Sequence, residues 1–169
     1  MGAMKRFLPV ALVVVAACSS GAAEGPAGVT ELSGAAPELS GLTLQGDRFG
    51  PSDYAGRVLV VNFWATWCGP CRREQPELSL VEASQGSDGA VFVGVNFRDD
   101  TAAARAYLRE FGVSYASLED PSGSLAYRFG VPYLPATIVV DAAGELRFRA
   151  VGALDGETLR DLVDRASAA

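Results

Sequence analysis

The chain of 169 residues is long enough for one domain with short appendages, and 49% of its residues are apolar, which favours a folded core over disorder. Its formal net charge is −6, so it lacks the basic surface with which proteins bind nucleic acids. Histidine is absent, which excludes histidine-based acid–base catalysis, haem ligation by histidine and most zinc sites.

The N-terminal segment has the features of an export signal. Lys5 and Arg6 precede an apolar run over 7–17, which is too short for a bilayer span of about twenty residues and fits a signal peptide over 1–17. The run ends in Val15-Ala16-Ala17-Cys18, which resembles the bacterial lipoprotein box. This resemblance predicts cleavage before Cys18, a diacylglyceryl group on the Cys18 sulfur and anchoring at the outer face of the cell membrane.

Two other interpretations of this segment stay open. Cleavage near 21–23 would discard Cys18 and leave a secreted or periplasmic soluble protein, and Cys18 could also be a chance residue without modification. Removal of residues 1–17 leaves 12 basic and 20 acidic residues, a net charge of −8. A body this acidic is not attracted to an anionic lipid surface, so the lipid would be the membrane contact.

Residues 18–40 are rich in Gly, Ala, Ser and Pro and predict a flexible linker before a folded domain over 41–168. Hydrophobic periodicity and helix-breaking residues predict the elements of that domain. In chain order they are a short strand at 41–44, a helical turn at 52–56, a strand at 58–64, a helix at 68–83, a strand at 91–95, helices at 101–111 and 122–129, strands at 136–140 and 146–151, and a helix at 155–168. This order predicts an α/β fold with a central mixed sheet and helices on both faces.

Cys68 and Cys71 lie at the start of the first long helix, directly after a strand. Two thiols are too few for the four ligands of a typical zinc site, so no metal is expected. A structural cross-link is disfavoured because so short a loop removes little entropy from the unfolded chain. The free N–H groups of a helix's first turn stabilise a thiolate, so Cys68 is expected to attack and Cys71 to resolve the mixed disulfide. The pair is interpreted as a redox-active disulfide that needs no further cofactor.

The stretch FWATWCGPCRREQPEL, over 63–78, resembles the active site of thioredoxin-fold proteins. More specifically, it resembles the active site of the membrane-tethered TlpA/ResA/DsbE-like (CcmG-like) thiol–disulfide oxidoreductases. The similarity covers residues 39–168, about three quarters of the chain, and includes GVNFRDD from Gly94 and GVPYLPATIVVD from Gly130.

The resemblance implies a thioredoxin fold and the positions of the site residues. Pro135 matches the family's cis-proline, which faces the cysteine pair and offers backbone to an extended substrate strand; Pro132 is the nearby competitor for that role. The residues expected to bind substrate are Trp67, Gly69, Pro70, Leu134 and Pro135.

Several neighbours of the pair have two interpretations each. Glu74 could manage protons for the buried thiol, as the resemblance implies, or be a solvated helix residue. Asn62 is expected to be a strand residue satisfied by local hydrogen bonds. Trp67 could dock substrate or serve packing alone. Arg72 and Arg73 could steer an acidic partner, but they are expected on a solvated helix face. The stretch Arg98-Asp99-Asp100 is expected to cap the helix at 101–111 and not to form a carboxylate pair for hydrolysis.

The predicted function is an exported disulfide reductase, a monomer that acts on disulfides or dithiols of protein substrates. The resemblance implies apocytochrome c as one such substrate and a CcdA-like membrane protein as electron donor. The thioredoxin-like Gly69-Pro70 dipeptide favours reduction over the alternative, a disulfide-forming oxidase on the same fold. A lipoprotein that binds a partner without catalysis remains open, and a peroxidase is disfavoured because peroxiredoxins usually centre on a lone peroxidatic cysteine.

Overall fold

The structure is a computed structural model that describes residue 1 and residues 28–169 of the chain. Apart from Met1, the predicted signal peptide lies outside the described residues, as do Cys18 and the first part of the predicted linker. None of the helices in the described part is both long and apolar enough to cross a bilayer.

Strands alternate with helices from residue 59 to residue 128, and a hairpin and a helix follow, as the sequence predicts. The strands are β1 Gly28–Glu31, β2 Gly41–Leu42, β3 Arg48–Phe49, β4 Leu59–Trp64, β5 Val91–Phe97, β6 Ser117–Asp120, β7 Ala136–Val140 and β8 Leu146–Val151. The helices are α1 Gly69–Ser84, α2 Thr101–Glu110, α3 Ser124–Arg128 and α4 Gly156–Ser167. A short 3₁₀ turn spans Pro51–Asp53.

One mixed sheet of six strands runs in the order β1-β8-β7-β4-β5-β6, and β2 pairs with β3 in a separate hairpin. Strands β4, β5 and β6 are parallel, whereas β7 is antiparallel to β4, β8 to β7 and β1 to β8. All six residues of β4 are buried, which explains its nearly continuous apolar sequence. The mixed sheet predicted from the order of elements is therefore confirmed.

Alternate residues of the strands pack into different hydrophobic clusters. Val60 and the strand side chains on the same face of the sheet pack with α1 and α4. Val61 and the strand side chains on the other face pack with α3. Helices thus cover both faces, as predicted. A third cluster joins Trp64 and α2 to both cysteines of the pair, so the end of β4 and the start of α1 belong to one packed unit.

The linker prediction over 18–40 is wrong for its C-terminal part. Residues 28–31 form the edge strand β1, which pairs with β8, and Leu39 is fully buried. The side chains of β1 are all exposed, so its pairing comes from backbone hydrogen bonds, which leave no apolar pattern in the sequence.

Candidate functional site

The two cysteines lie at the junction of β4 and α1. Cys68 is the N-cap residue of α1, and its Sγ accepts a hydrogen bond from the backbone N–H of Cys71 at 3.2 Å. The pair forms a disulfide with a Cα–Cα distance of 5.3 Å. Cys68 is 5% exposed and Cys71 is 1% exposed, so the first cysteine retains the larger access to solvent.

The first turn of α1 is anchored from α2. The Tyr107 hydroxyl donates to the Cys71 carbonyl oxygen at 3.2 Å, and its ring stacks on Trp64 with centroids 4.4 Å apart. The Trp64 indole N–H in turn donates to the Ser117 hydroxyl at 3.0 Å. Trp64 is buried, and its contacts with Tyr107 and Ser117 support the start of α1 from α2 and β6.

Glu74 is buried, 2% exposed, one turn after Cys71 on the same helix. Its Oε1 accepts from Asn62 Nδ2 at 2.8 Å, and its Oε2 accepts from the backbone N–H of Leu154 at 3.1 Å. Burial raises the pKa of Glu74 to about 7, while these two hydrogen bonds oppose the rise. The solvated interpretation of Glu74 is therefore wrong.

Asn62 makes long-range contacts, and the expectation of local hydrogen bonds is wrong. Its Nδ2 also donates to Thr137 Oγ1 on β7 at 3.2 Å. Its Oδ1 is buried and accepts no hydrogen bond from any described residue. Asn62 on β4 thus places an acceptor without a described partner, its Oδ1, close to the Glu74 carboxyl group.

The Leu134–Pro135 peptide bond is cis, at the start of β7, and Pro132 is not in a cis bond. Leu134 is half-buried and packs against the cluster that contains both cysteines. Trp67 is 61% exposed in the turn before Cys68, and Tyr133 is 76% exposed. Trp67, next to Cys68 in the chain, and Leu134 thus place apolar side chains beside the pair.

The remaining predicted site residues lie at the start of α1. Gly69 is exposed and Pro70 is half-buried. Arg73 is exposed, as expected. The Arg72 guanidinium, by contrast, makes contacts with α2 that were not predicted. It pairs with Glu110 and lies 5.0 Å from the ring centroid of Phe111, so it ties α1 to α2.

Sequence reasoning missed the role of Asp99. Asp100 alone caps α2, through the backbone N–H of Ala103, whereas the carboxylate of Asp99 binds Thr66 in the turn before Cys68. The predicted helix start at 101 favours Asp100 as the N-cap, but no sequence signal indicates the contact of Asp99 with Thr66. Among residues 28–169, no cluster of three or more candidate ligands could hold a metal ion.

The sequence profile of the Redoxin family matches residues 31–165. The chain belongs to the redoxin family. The thiol:disulfide interchange protein HelX of Rhodobacter capsulatus is 37% identical to this redoxin over 110 residues, which are 64% of this chain and 60% of HelX. The thiol:disulfide interchange protein DsbE of Pseudomonas fluorescens biotype C is 38% identical over 121 residues, 70% of this chain and 66% of DsbE. The chain therefore spans about three fifths to two thirds of the curated relatives it matches.

A solved structure supports the fold of this redoxin. The secreted Mycobacterium tuberculosis disulfide oxidoreductase homologous to Escherichia coli DsbE is 29% identical, with a TM-score of 0.68. The match covers 75% of this chain and 95% of that one. The predicted thioredoxin fold and the predicted resemblance to DsbE-like proteins are confirmed.

Proposed function

We propose that this redoxin is an extracytoplasmic thiol–disulfide oxidoreductase that reduces disulfides of protein substrates through Cys68 and Cys71. The single observation that carries the proposal is the placement of Cys68 as the N-cap of α1, with its Sγ accepting from the Cys71 N–H. An ionised sulfur at this position is stabilised by the free N–H groups of the helix start, which lowers the pKa of a thiol.

The exchange takes two steps. The Cys68 thiolate attacks one sulfur of a substrate disulfide, forms a mixed disulfide, and expels the second substrate thiolate, which takes a proton from solvent. The Cys71 thiol then loses its proton and attacks Cys68 Sγ, which releases the first substrate thiolate and closes the Cys68–Cys71 disulfide. The substrate gains two electrons and the protein loses two.

Glu74 is the acceptor that we assign to the Cys71 proton. Cys71 is nearly inaccessible to water, so its deprotonation needs a buried base, and a carboxyl group with a pKa of about 7 exchanges protons near neutral pH. The Asn62 amide serves both forms of Glu74. Its Nδ2 donates to the carboxylate, and a half-turn of the amide offers the free Oδ1 to the protonated group.

Substrate binding is assigned to the apolar surface beside the pair. Trp67 and Leu134 offer apolar contacts, and Pro135 directly precedes β7, after a loop in which Pro132 and Tyr133 are exposed. An extended peptide could lie along this loop with its disulfide over Cys68. By resemblance, the substrates include the Cys-x-x-Cys-His segment of apocytochrome c, and a CcdA-like membrane protein returns the pair to its reduced form.

Insulin reduction with dithiothreitol as the electron source tests the activity. We expect catalysis by the wild type, loss of catalysis in Cys68→Ser, and accumulation of a mixed disulfide in Cys71→Ser. Cys18→Ser is the matched control, because it removes the third thiol of the chain, and its rate should equal that of the wild type. Equal rates in Cys68→Ser and wild type would contradict the proposed catalysis and would favour a protein that binds a partner without catalysis.

Trapping tests the substrate class. The Cys71→Ser variant is expected to form a mixed disulfide with an oxidised peptide that contains Cys-x-x-Cys-His. A peptide with the same spacing but a scrambled flanking sequence is the control. Equal trapping of both peptides would argue against a cytochrome c substrate while leaving the exchange activity intact.

A further inference from the structure

The turn 65–68 joins β4 to α1 and presents both Trp67 and Cys68. The Cys68 backbone N–H donates to the Ala65 carbonyl oxygen at 3.1 Å, which closes the turn. Since Cys68 is also the N-cap of α1, the orientation of this turn sets where Sγ lies relative to the amides of the helix start. A shift of the turn would therefore alter both the stability of the thiolate and its line of attack.

The Asp99 carboxylate clamps this turn from the loop between β5 and α2. Its Oδ2 accepts from the Thr66 backbone N–H at 2.6 Å, and its Oδ1 accepts from the Thr66 hydroxyl at 2.7 Å. Two more donors fix the carboxylate, Asn96 Nδ2 at 2.9 Å and the Asp100 backbone N–H at 2.9 Å. Each oxygen thus accepts two hydrogen bonds, and Thr66 is held by both of its donors.

The loop that carries Asp99 is itself held on both sides. Arg98 has a positive φ of 45°, its backbone N–H donates to the Asp120 carbonyl oxygen at 3.1 Å, and its guanidinium donates to the Ser122 carbonyl oxygen. Asp100 caps α2 through the Ala103 N–H at 2.8 Å. A non-glycine residue in the left-handed region persists only where surrounding contacts impose it. Contacts of the residues on both sides therefore fix the backbone at Asp99.

We propose that Asp99 is a positioning residue for the exchange reaction, which acts by holding Thr66 and, through the turn 65–68, the thiol of Cys68. This inference rests on the proposed function. Burial acts to raise the pKa of Asp99, but its hydrogen bonds outweigh burial and the pKa lies below its ordinary value, so the clamp is ionised at neutral pH.

Removal of Asp99 would shift the pKa of Cys68 in opposite directions, depending on whether Asp99 acts through its charge or through its position. If the negative charge of Asp99 acted directly on Cys68, it would disfavour the thiolate, and its removal would lower the pKa of the thiol. If Asp99 acts by position, its removal loosens the N-cap geometry and the pKa of Cys68 rises. Thr66→Val removes one clamp hydrogen bond without any change of charge, so it isolates position.

Four variants test the inference in a Cys18→Ser, Cys71→Ser background for alkylation and in the wild type for insulin reduction. Asp99→Ala should raise the pKa of Cys68, read from the pH profile of alkylation, by about one unit and lower kcat/KM about tenfold. Thr66→Val should also raise the pKa of Cys68 and should lower kcat/KM about threefold. Thr66→Ser keeps both donors and should match the wild type. Asp100→Ala is the control, because it removes the cap of α2 from the same loop without touching Thr66.

Additivity supplies a further check. If Thr66 and Asp99 act through one contact, the double variant Thr66→Val/Asp99→Ala should be no slower than Asp99→Ala alone. Should Asp99→Ala fail to fold, Thr66→Val against Thr66→Ser decides the question.

Three results would overturn the inference: a lowered pKa of Cys68 in Asp99→Ala, an equal loss of activity in Asp100→Ala, or wild-type behaviour of both Thr66→Val and Asp99→Ala. The proposed function fails separately, if the wild type does not reduce insulin. The alkylation profile still reports on the clamp in that case, because it needs no substrate protein.

Discussion

At the scale of single residues, Glu74 combines complete burial with a titration near neutral pH. Its carboxyl group meets two donors, from Asn62 and Leu154, yet desolvation dominates and the pKa is about 7 against an ordinary value of 4.5. The protonated form is therefore favoured in the folded protein between these two pH values, whereas the unfolded chain has already released the proton.

The sign of the pH dependence follows from this difference. The folded state binds more protons than the unfolded state between about pH 4.5 and pH 7, so the free energy of unfolding falls as the pH rises through that window. We expect the contribution of Glu74 to fall by about 2–3 kcal/mol between pH 5 and pH 8, and Glu74→Gln to flatten the curve. Urea unfolding of the oxidised protein across this range measures it.

A salt series controls for surface charge. A pH slope caused by burial of Glu74 should survive at high ionic strength, whereas the part contributed by exposed charges should be screened. An unchanged slope in Glu74→Gln would contradict the assignment of a raised pKa to this residue.

The sequence could predict the identity of the reacting residues but not the state of their neighbours. The spacing of Cys68 and Cys71 after a strand indicated a redox pair. By contrast, the sequence does not decide whether Glu74 is buried, because its burial depends on Leu154, which lies 80 residues further along the chain. The contact of Asp99 with Thr66 was missed for the same reason, since it links two loops that are distant in sequence.

At the scale of elements, β5 passes so close to Trp64 that only glycine fits at position 94. A Cβ atom at Gly94 would lie 2.5 Å from Ser117 Oγ and 2.7 Å from Trp64 Nε1, the two atoms of one hydrogen bond. Gly94→Ala should therefore push Trp64 and Ser117 apart and lower the free energy of unfolding by about 2 kcal/mol. Chemical denaturation measures this loss.

Gly28→Ala is the matched control for this substitution. Gly28 also lies in a strand, but, apart from the glycine itself and its chain neighbours, no described residue has an atom within 4 Å of the position of its Cβ, so we expect little change in stability. Equal stabilities of Gly94→Ala and wild type would show that the strands can separate at this point without cost, against the packing described here.

Two strands of the six-stranded sheet escaped prediction, for different physical reasons. β1 is exposed along its whole length and lies in a segment rich in small residues, so only its backbone pairing with β8 defines it. β6 has the sequence Ser-Leu-Glu-Asp, which has no strand-like apolar pattern, although Ser117 and Asp120 are buried. The Asp120 carboxylate accepts from the Leu125 and Ala126 N–H groups of α3, so its burial is satisfied by the next helix.

At the scale of the whole molecule, the order of elements was enough to predict a mixed sheet with helices on both faces. The alternation of strand and helix constrains the parallel part of the sheet, and the hairpin of β7 and β8 supplies the antiparallel part. The pairing of β1 with β8 at the edge of the sheet could not be predicted, because β1 has no hydrophobic face.

The predicted lipid on Cys18 concerns how the whole molecule is held at the membrane. If cleavage occurs before Cys18, the mature chain carries a net charge of −8 and the acyl chains are its means of attachment. We expect the wild type to stay in the membrane fraction in 0.5 M salt and Cys18→Ser to appear in the soluble fraction. Retention of Cys18→Ser at the membrane would contradict the lipid anchor.

The equilibrium reduction potential of the Cys68–Cys71 couple tests the central claim, that the pair is a disulfide reductase. It is measured by equilibration with thiol–disulfide buffers of known potential, with the fraction of reduced protein read from alkylation. We predict a potential near that of thioredoxin, about −270 mV, because the pair shares its Gly-Pro dipeptide and its place at a helix start. A potential near that of a strong oxidant such as DsbA, about −120 mV, or a pair that does not equilibrate with the buffer, would contradict it.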